Sequence, residues 1–418
     1  MDARIYWIWM QLALGAGCPQ VGPLLRVYGS AHAVYEASEE ELRRGGLSAA
    51  QCRRLADKDL SAARECLLKT LQMGGWVLTP EGAHFPSQLR GIHGMPLVLY
   101  GRGVMPDMER IPSVTLVGTR DCTSYGAQMA SRLAAGLVAG GLCIVSGGAM
   151  GIDAAALRTA LEWGGTTVCI QGCGLDIHYP AHNEDMRQEV LRRGAVITEY
   201  APGTPGRKQN FPVRNRLLSG LTHGTCVVEA PAVSGALITA RYALEQGRDV
   251  FAVPGTALMP NMAGCNQLIR DGAHLIGSAV DILEELRPRF GLQMHFEAAR
   301  QAEQRFRNAS PEERATALKV ADSVPHKSAA KPKKKTTEVP DAAAEAPVKE
   351  GAFTPAPCPD HVTDTARRIY GQLTETPQPI DELAAALSLP VFQVLAALTE
   401  LEIAGCVSNS AGGQYRLK

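Results

Sequence analysis

Between about 112 and 288, short apolar runs rich in β-branched residues alternate with longer stretches of helical spacing. The runs are SVTLVG (113–118), LCIVSGG (142–148), TTVCIQG (166–172), AVITE (195–199), TCVVEA (225–230) and DVFAVPG (249–255). Their apolar residues are nearly continuous rather than alternating, which is the pattern of strands covered on both faces, as in a parallel sheet. The stretches 124–140, 151–164, 182–193, 213–220 and 234–247 read as the intervening helices. An α/β domain built on a buried parallel sheet follows. Right-handed crossovers align the loops that follow the strands along one edge, where such sheets bind ligands.

The flanks have other patterns. Residues 1–72 read as short helices separated by glycine turns. In ASEEEL, Ser38 and Glu41 stand at the spacing of a capping box. The turn Gly17-Cys18-Pro19, followed by Gly22, resembles a helix-hairpin-helix or SAM-like unit, a motif that can offer backbone N–H groups to phosphate. A small helical packing domain is the alternative. An α/β domain is expected over 73–290, then an Ala/Pro/Lys-rich disordered linker over 291–360. Periodicity is lost from about 305, and the lysines of 331–335 belong to a solvated tether. Over 361–418, three amphipathic helices and a short hairpin suggest a winged helix. Its third helix, 390–404, carries Gln393, Thr399, Glu400 and Glu402 but neither Lys nor Arg. That face therefore suits protein docking at least as well as phosphate.

Composition narrows the function. Lys+Arg and Asp+Glu are both 42 in 418 residues, so no global field draws the chain to nucleic acid or membrane. Any anion site must be local. No run is long and apolar enough to span a membrane, and the N-terminal stretch reads as a first helix rather than a signal peptide. The 11 cysteines lack CxxC pairs, and the nearest two are Cys169 and Cys173. Reduced, buried thiols in the cytoplasm are expected, with no metal and no cofactor.

Four strand-end loops carry candidate chemistry. Arg120, in GTRDCTSYG, stands just before a helix start, where a guanidinium and backbone N–H groups favour an anion. The turn SGGAMGID, with Ser146, Gly147 and Gly148, permits close backbone approach but is neither a Walker A loop nor G-x-G-x-x-G. In the third loop, Pro180 separates His178 from His182, which argues against a metal pair, and Asn183 stands near the next helix start. In NFPVRNRLLSG, Phe211-Pro212 reads as extended chain entering a helix. Arg214, Asn215 and Arg216 then fall in its first turn, where cations are unfavourable unless an anion comes to them. Phe211 offers a face on which a base can stack. Ser234, Gly235 and Thr239 form a further wall. Glu199 and Glu229 end strands and are read as groups that cap loops and orient arginines rather than as paired acids.

GTRDCTSYG, SGGAMGID, GCGLDIHYP, FPVRNRLLSGL, SGALITARYALEQGRDVFAVPG and NQLIRDGA occur in this order. Together they resemble the signature of the DprA/Smf family of DNA-processing proteins, over about 75–285. The resemblance implies an extended Rossmann fold and a homodimer without catalytic activity. It implies a protein that binds and protects incoming single-stranded DNA and loads RecA recombinase on it during natural transformation. By the same resemblance, the DNA backbone would meet Arg120, Ser146, Gly147, Gly148, Phe211, Arg214, Asn215 and Arg216. Thr119, Leu157, Met186 and Thr198 depart from common family residues without removing a basic group. Two other readings compete. A nucleotide-processing enzyme acting at the N-glycosidic bond would use Glu229, Arg120 and the glycine loop. A scaffold would dock proteins through its terminal domains.

Overall fold

The computed structural model describes residues 2–308 and, within 362–417, all but 375, 377, 388, 390, 405 and 411–413. The chain divides between Ala329 and Ala330 into two compact units.

The first unit opens with α1 (Arg4–Leu14), α2 (Val21–Tyr28), α3 (Ala31–Glu36), α4 (Glu39–Arg44), α5 (Ala49–Ala56) and α6 (Ser61–Gln72). Their apolar faces close one core around Trp7, Ile8, Met10, Leu24, Leu42 and Leu55. The Ser38–Glu41 capping box is formed, and Ser48–Gln51 makes a second one at α5.

The strands that follow are β1 (Trp76–Leu78), β2 (Leu99–Gly103), β3 (Ser113–Val117), β4 (Cys143–Ser146), β5 (Thr167–Gln171), β6 (Gly194–Thr198), β7 (Gly224–Val227), β8 (Asp249–Ala252) and β9 (His274–Leu275). They form one sheet in the order β1-β2-β6-β5-β4-β3-β7-β8-β9. From β6 to β9 every pair is parallel, as the near-continuous apolar runs require. β1 and β2 add an antiparallel edge that the apolar runs do not announce. The helices are α7 (Ser124–Ala139), α8 (Ile152–Glu162), α9 (Glu184–Arg193), α10 (Asn210–Leu221), α11 (Gly235–Glu245), α12 (Ala263–Arg270), α13 (Ala279–Phe290) and α14 (Phe296–Asn308). From β3 the chain runs outward through β4, β5 and β6, then returns by α10 to start β7 on the other side of β3. The switch point of the topology therefore lies between β3 and β7. At that point a crevice opens beyond the carboxyl ends of the strands.

The expected linker start at 291 is corrected at its near end. Residues 296–308 form α14, whose Ala299, Ala302 and Glu303 are buried. Glu303 accepts the Ala279 N–H at 3.0 Å and pairs with Arg132 at 3.2 Å, fastening α14 to α13 and α7. The charge-rich composition of 297–307 hides this narrow inward stripe at helical spacing. The remainder of the expected linker, 309–360, lies outside the described residues, including the lysines of 331–335.

The second unit contains α15 (Asp364–Tyr370), α16 (Ile380–Leu387) and α17 (Val391–Ile403). A small sheet, β10 (Gln378–Pro379), β12 (Gln414–Leu417) and β11 (Val407–Ser410), completes a winged helix. Glu400 of α17 accepts hydrogen bonds from the Thr363 N–H at 2.9 Å and its hydroxyl at 2.7 Å, so one of that helix's acids is spent on the start of α15. The glycine tip of the wing lies outside the described residues.

Candidate nucleic-acid interface

A cleft of about 500 Å³ occupies the switch point. Its floor and walls come from the loop after β3 (117–121), the first turns of α10 and the β7–α11 loop. Glycine permits the close approach of these loops. A Cβ on Gly118 would strike Ile152 at 2.5 Å and the Glu229 carbonyl at 2.7 Å. Gly151, at φ +74°, packs against the carbonyls of Thr119 and Arg120.

Helix α10 begins at Asn210, so Phe211 is helical rather than extended. Asn210 fixes the entry through side-chain hydrogen bonds to the carbonyls of Gly172 (2.9 Å) and Pro205 (3.2 Å). Pro212 sits in the first turn, where its missing N–H costs no helical bond. Phe211 lies on the Gly172 backbone, and its ring centroid is 5.3 Å from that of Tyr179. The Arg120 guanidinium stands 5.0 Å from the Phe211 centroid and that of Arg214 stands 5.9 Å away. Two cations thus flank one aromatic ring at the mouth of the crevice.

The two cations differ. Arg120 is exposed and, among the described residues, has no carboxylate partner. Arg214 is buried, and its Nη1 donates to the carbonyls of Gly147 (2.9 Å) and Ile170. Burial lowers the Arg214 pKa and nearby Arg120 lowers it further, while the Asp153 carboxylate counters them only in part. Burial raises the Asp153 pKa, against the pull of Arg214. Asp153 accepts the Ala149 N–H at 3.3 Å and so holds the glycine turn. Asn183 holds the same turn by donating to the carbonyls of Gly148 and Ala149, both at 3.1 Å.

Of the residues singled out in the sequence, Arg120, Phe211, Arg214, Asn215, Ser234, Gly235 and Thr239 line the cleft together. Asn215 donates to the Gly235 carbonyl at 3.1 Å, tying α10 to α11, and Ser234 caps α11. Ser146, Gly147, Gly148 and Arg216 are not among the lining residues. The Ser146 hydroxyl is buried and donates to the Leu116 carbonyl at 2.7 Å. Gly147 and Gly148 lie behind Arg214, where a Cβ on Gly147 would meet the guanidinium at 2.6 Å.

Arg216 points the other way. It is buried, and its Nη2 donates to both carboxylate oxygens of Glu199 at 2.6 and 2.8 Å. Its Nε donates to the Gly94 carbonyl at 3.0 Å. Glu199 also accepts the Gly17 N–H at 3.2 Å, so the N-terminal turn spends that donor on a carboxylate instead of phosphate. Glu229 is likewise occupied. It accepts from Asn261 (3.1 Å) and from the N–H (3.0 Å) and hydroxyl (2.7 Å) of Thr123, the N-cap of α7. Its carboxylate is fully buried and does not line the cleft, so it does not supply the acid that glycosidic chemistry would require there.

The sequence reading missed Lys208. It lies two residues before α10, is exposed, and lines the cleft as a further cation without an ion pair among the described residues. The signal was the short basic pair Arg207-Lys208 just ahead of Phe211. His178 pairs with Glu184 at 2.8 Å. Burial raises the Glu184 pKa, but hydrogen bonds from His178, Gln188 and Arg187 outweigh it and bring the carboxyl to about 2. Leu157 and Met186, two of the family departures, pack in a small apolar cluster beneath α8 and α9.

A mostly parallel, Rossmann-type sheet with a cationic, aromatic cleft at its switch point, in a chain that also carries a winged helix, defines the class of protein. Residues 76–287 match the family described as DNA recombination-mediator protein A, and residues 353–413 match the DprA winged helix domain. The chain belongs to the DprA/Smf family. It is 33% identical to Protein Smf of Synechocystis over 342 residues, 81% of this chain and 79% of that one. It is 42% identical to DNA processing protein DprA of Streptococcus pneumoniae over 201 residues, 48% of this chain and 71% of that one. The X-ray structure of the Streptococcus pneumoniae protein matches with a TM-score of 0.61 at 33% identity, covering 68% of this chain and 99% of that one.

Proposed function

We propose that the chain binds single-stranded DNA by its backbone in the switch-point cleft, and that it hands the strand to a RecA-class recombinase during DNA uptake and recombination. The observation that carries the DNA reading is the pair of guanidinium groups, Arg120 and Arg214, flanking the Phe211 ring. Cations select phosphate, while an aromatic face accepts any base, so the site suits a strand whose bases are unpaired. A duplex hides its base faces and gains only the electrostatic part. On this reading the protein is a binding protein without catalysis, and it works in the cytoplasm as a homodimer. Arg120, Phe211, Arg214, Asn215 and Lys208 would be the contact residues, with Ser234, Gly235 and Thr239 as the far wall. Arg216, Ser146, Gly147 and Gly148 would support the site from behind.

The test is competition. A labelled oligo-dT bound to the protein is challenged with unlabelled single strand or with blunt duplex of equal length. Displacement by single strand at much lower concentration is expected. Equal displacement by duplex would leave only a nonspecific phosphate site.

A further inference from the structure

Beside the cleft lies an apolar rim that the phosphate contacts do not use. Three strand-end segments are fastened together there. Glu229, at the end of β7, binds Thr123 at the start of α7 and Asn261 in the β8–α12 loop. The Tyr125 hydroxyl donates to the Pro254 carbonyl at 3.0 Å, joining α7 to the same loop. Gly264 packs on the carbonyls of Ala230 and Pro231, where a Cβ would come within 2.8 and 2.7 Å. Each of these fixed segments exposes one large apolar side chain: Tyr125 is 39% exposed, Val233 93% and Leu258 93%. The near-complete exposure of Val233 and Leu258, on loops fastened by these hydrogen bonds, is not a by-product of core packing.

Val233 belongs to both features, since it also lines the cleft with Arg120. The rim is therefore continuous with the cationic site. Its chemistry differs in kind: the cleft is lined by charged groups of both signs, and the three rim side chains bring no charge of their own. Sites that track a single strand span several nucleotides, more than a cleft of about 500 Å³ encloses. A strand held by its phosphates in the cleft must run out of it, and on this side it meets apolar surface.

Resting on the single-strand reading above, we infer that the strand leaves the cleft over this rim, and that Tyr125, Val233 and Leu258 carry the bases of its outgoing nucleotides. The site is thus divided, with backbone contacts inside the cleft and base contacts on the rim.

The experiment is a length series of oligo-dT, measured by fluorescence anisotropy on the full chain. It compares wild type with Leu258→Ser and with Tyr125→Leu, two positions outside the cleft lining. Leu258 is almost wholly exposed, so Leu258→Ser folds; thermal melting checks this. Wild-type affinity should keep rising with length beyond what the cleft holds. Leu258→Ser and Tyr125→Leu should each bind long oligonucleotides about tenfold more weakly. They should match wild type on the shortest ones and keep its salt slope. Identical length profiles for wild type and folded variants would overturn the rim assignment while leaving the cleft intact, and would turn attention to a protein partner for this surface. Failure of wild type to bind any length would instead remove the single-strand reading itself.

Discussion

At the scale of single residues, Arg214 and Arg216 show how spacing decides role. An α-helix turns about 100° per residue, so positions two apart face nearly opposite sides. Arg214 faces the cleft, and Arg216 faces the N-terminal helical domain. The dipole argument made from sequence, that arginines in a first turn call for an anion, is met differently by each. Arg216 has Glu199 beside it. Arg214 has backbone carbonyls and the charge of Asp153. Removing one partner of a buried ion pair leaves the other charge uncompensated, at a cost of about 3–5 kcal/mol. Arg216→Ala should therefore lower unfolding stability by that amount in denaturant titration, as should Glu199→Ala. The double variant Arg216→Met/Glu199→Leu, which removes both charges, should recover much of it. If Arg216→Ala were as stable as wild type, the bolt between helical domain and sheet would not exist.

At the scale of elements, the parallel strands were legible because burial on both faces leaves a continuous apolar run. Each of the six such runs lies on a strand within a few residues of its expected bounds. β1, β2 and β9 were not legible. β1 and β9 are short edge strands, and β2 runs Leu-Tyr-Gly-Arg-Gly, in which glycine lets Trp76 lie flat on the backbone. The start of α10 was displaced by the rule that residues before proline avoid helix. Asn210, held on two carbonyls, outweighs that preference. The cleft was legible through its cations and glycine turns, whereas Lys208 and the direction of Arg216 needed the packed loops. The junction of α10 and β7 yields a pH prediction. Burial, with Arg289 and Arg248 nearby, brings His223 down to about 4, and its Nδ1 accepts from the Ser113 N–H at 3.2 Å. The unfolded chain, at an ordinary 6.5, takes the proton first. Stability is therefore full above about 6.5, falls as pH drops towards 4, and levels off below, with a slope of at most ~1.4 kcal/mol per pH unit from this group. In His223→Gln the fall between pH 6.5 and 4 should be shallower; an unchanged fall would assign it to other groups.

At the scale of the whole molecule, a chain of zero formal net charge carries three cations, Arg120, Lys208 and Arg214, in the lining of one cleft. Glu199 is spent on Arg216 and Glu229 on α7. The cleft lining sets the cations Arg120, Lys208 and Arg214 and the Phe211 ring beside two acids, the buried Asp153 and the exposed Asp121. Helix α17 of the winged helix carries no Lys or Arg. The contribution of the cleft can be isolated by salt. Affinity for oligo-dT is measured from low to high salt for wild type and for Arg120→Ala, an exposed change that spares the fold. Binding should weaken at every salt concentration, with the log–log slope shallower by about one. Equal affinity and equal slope in the two proteins would contradict the assignment of this cleft to the DNA backbone.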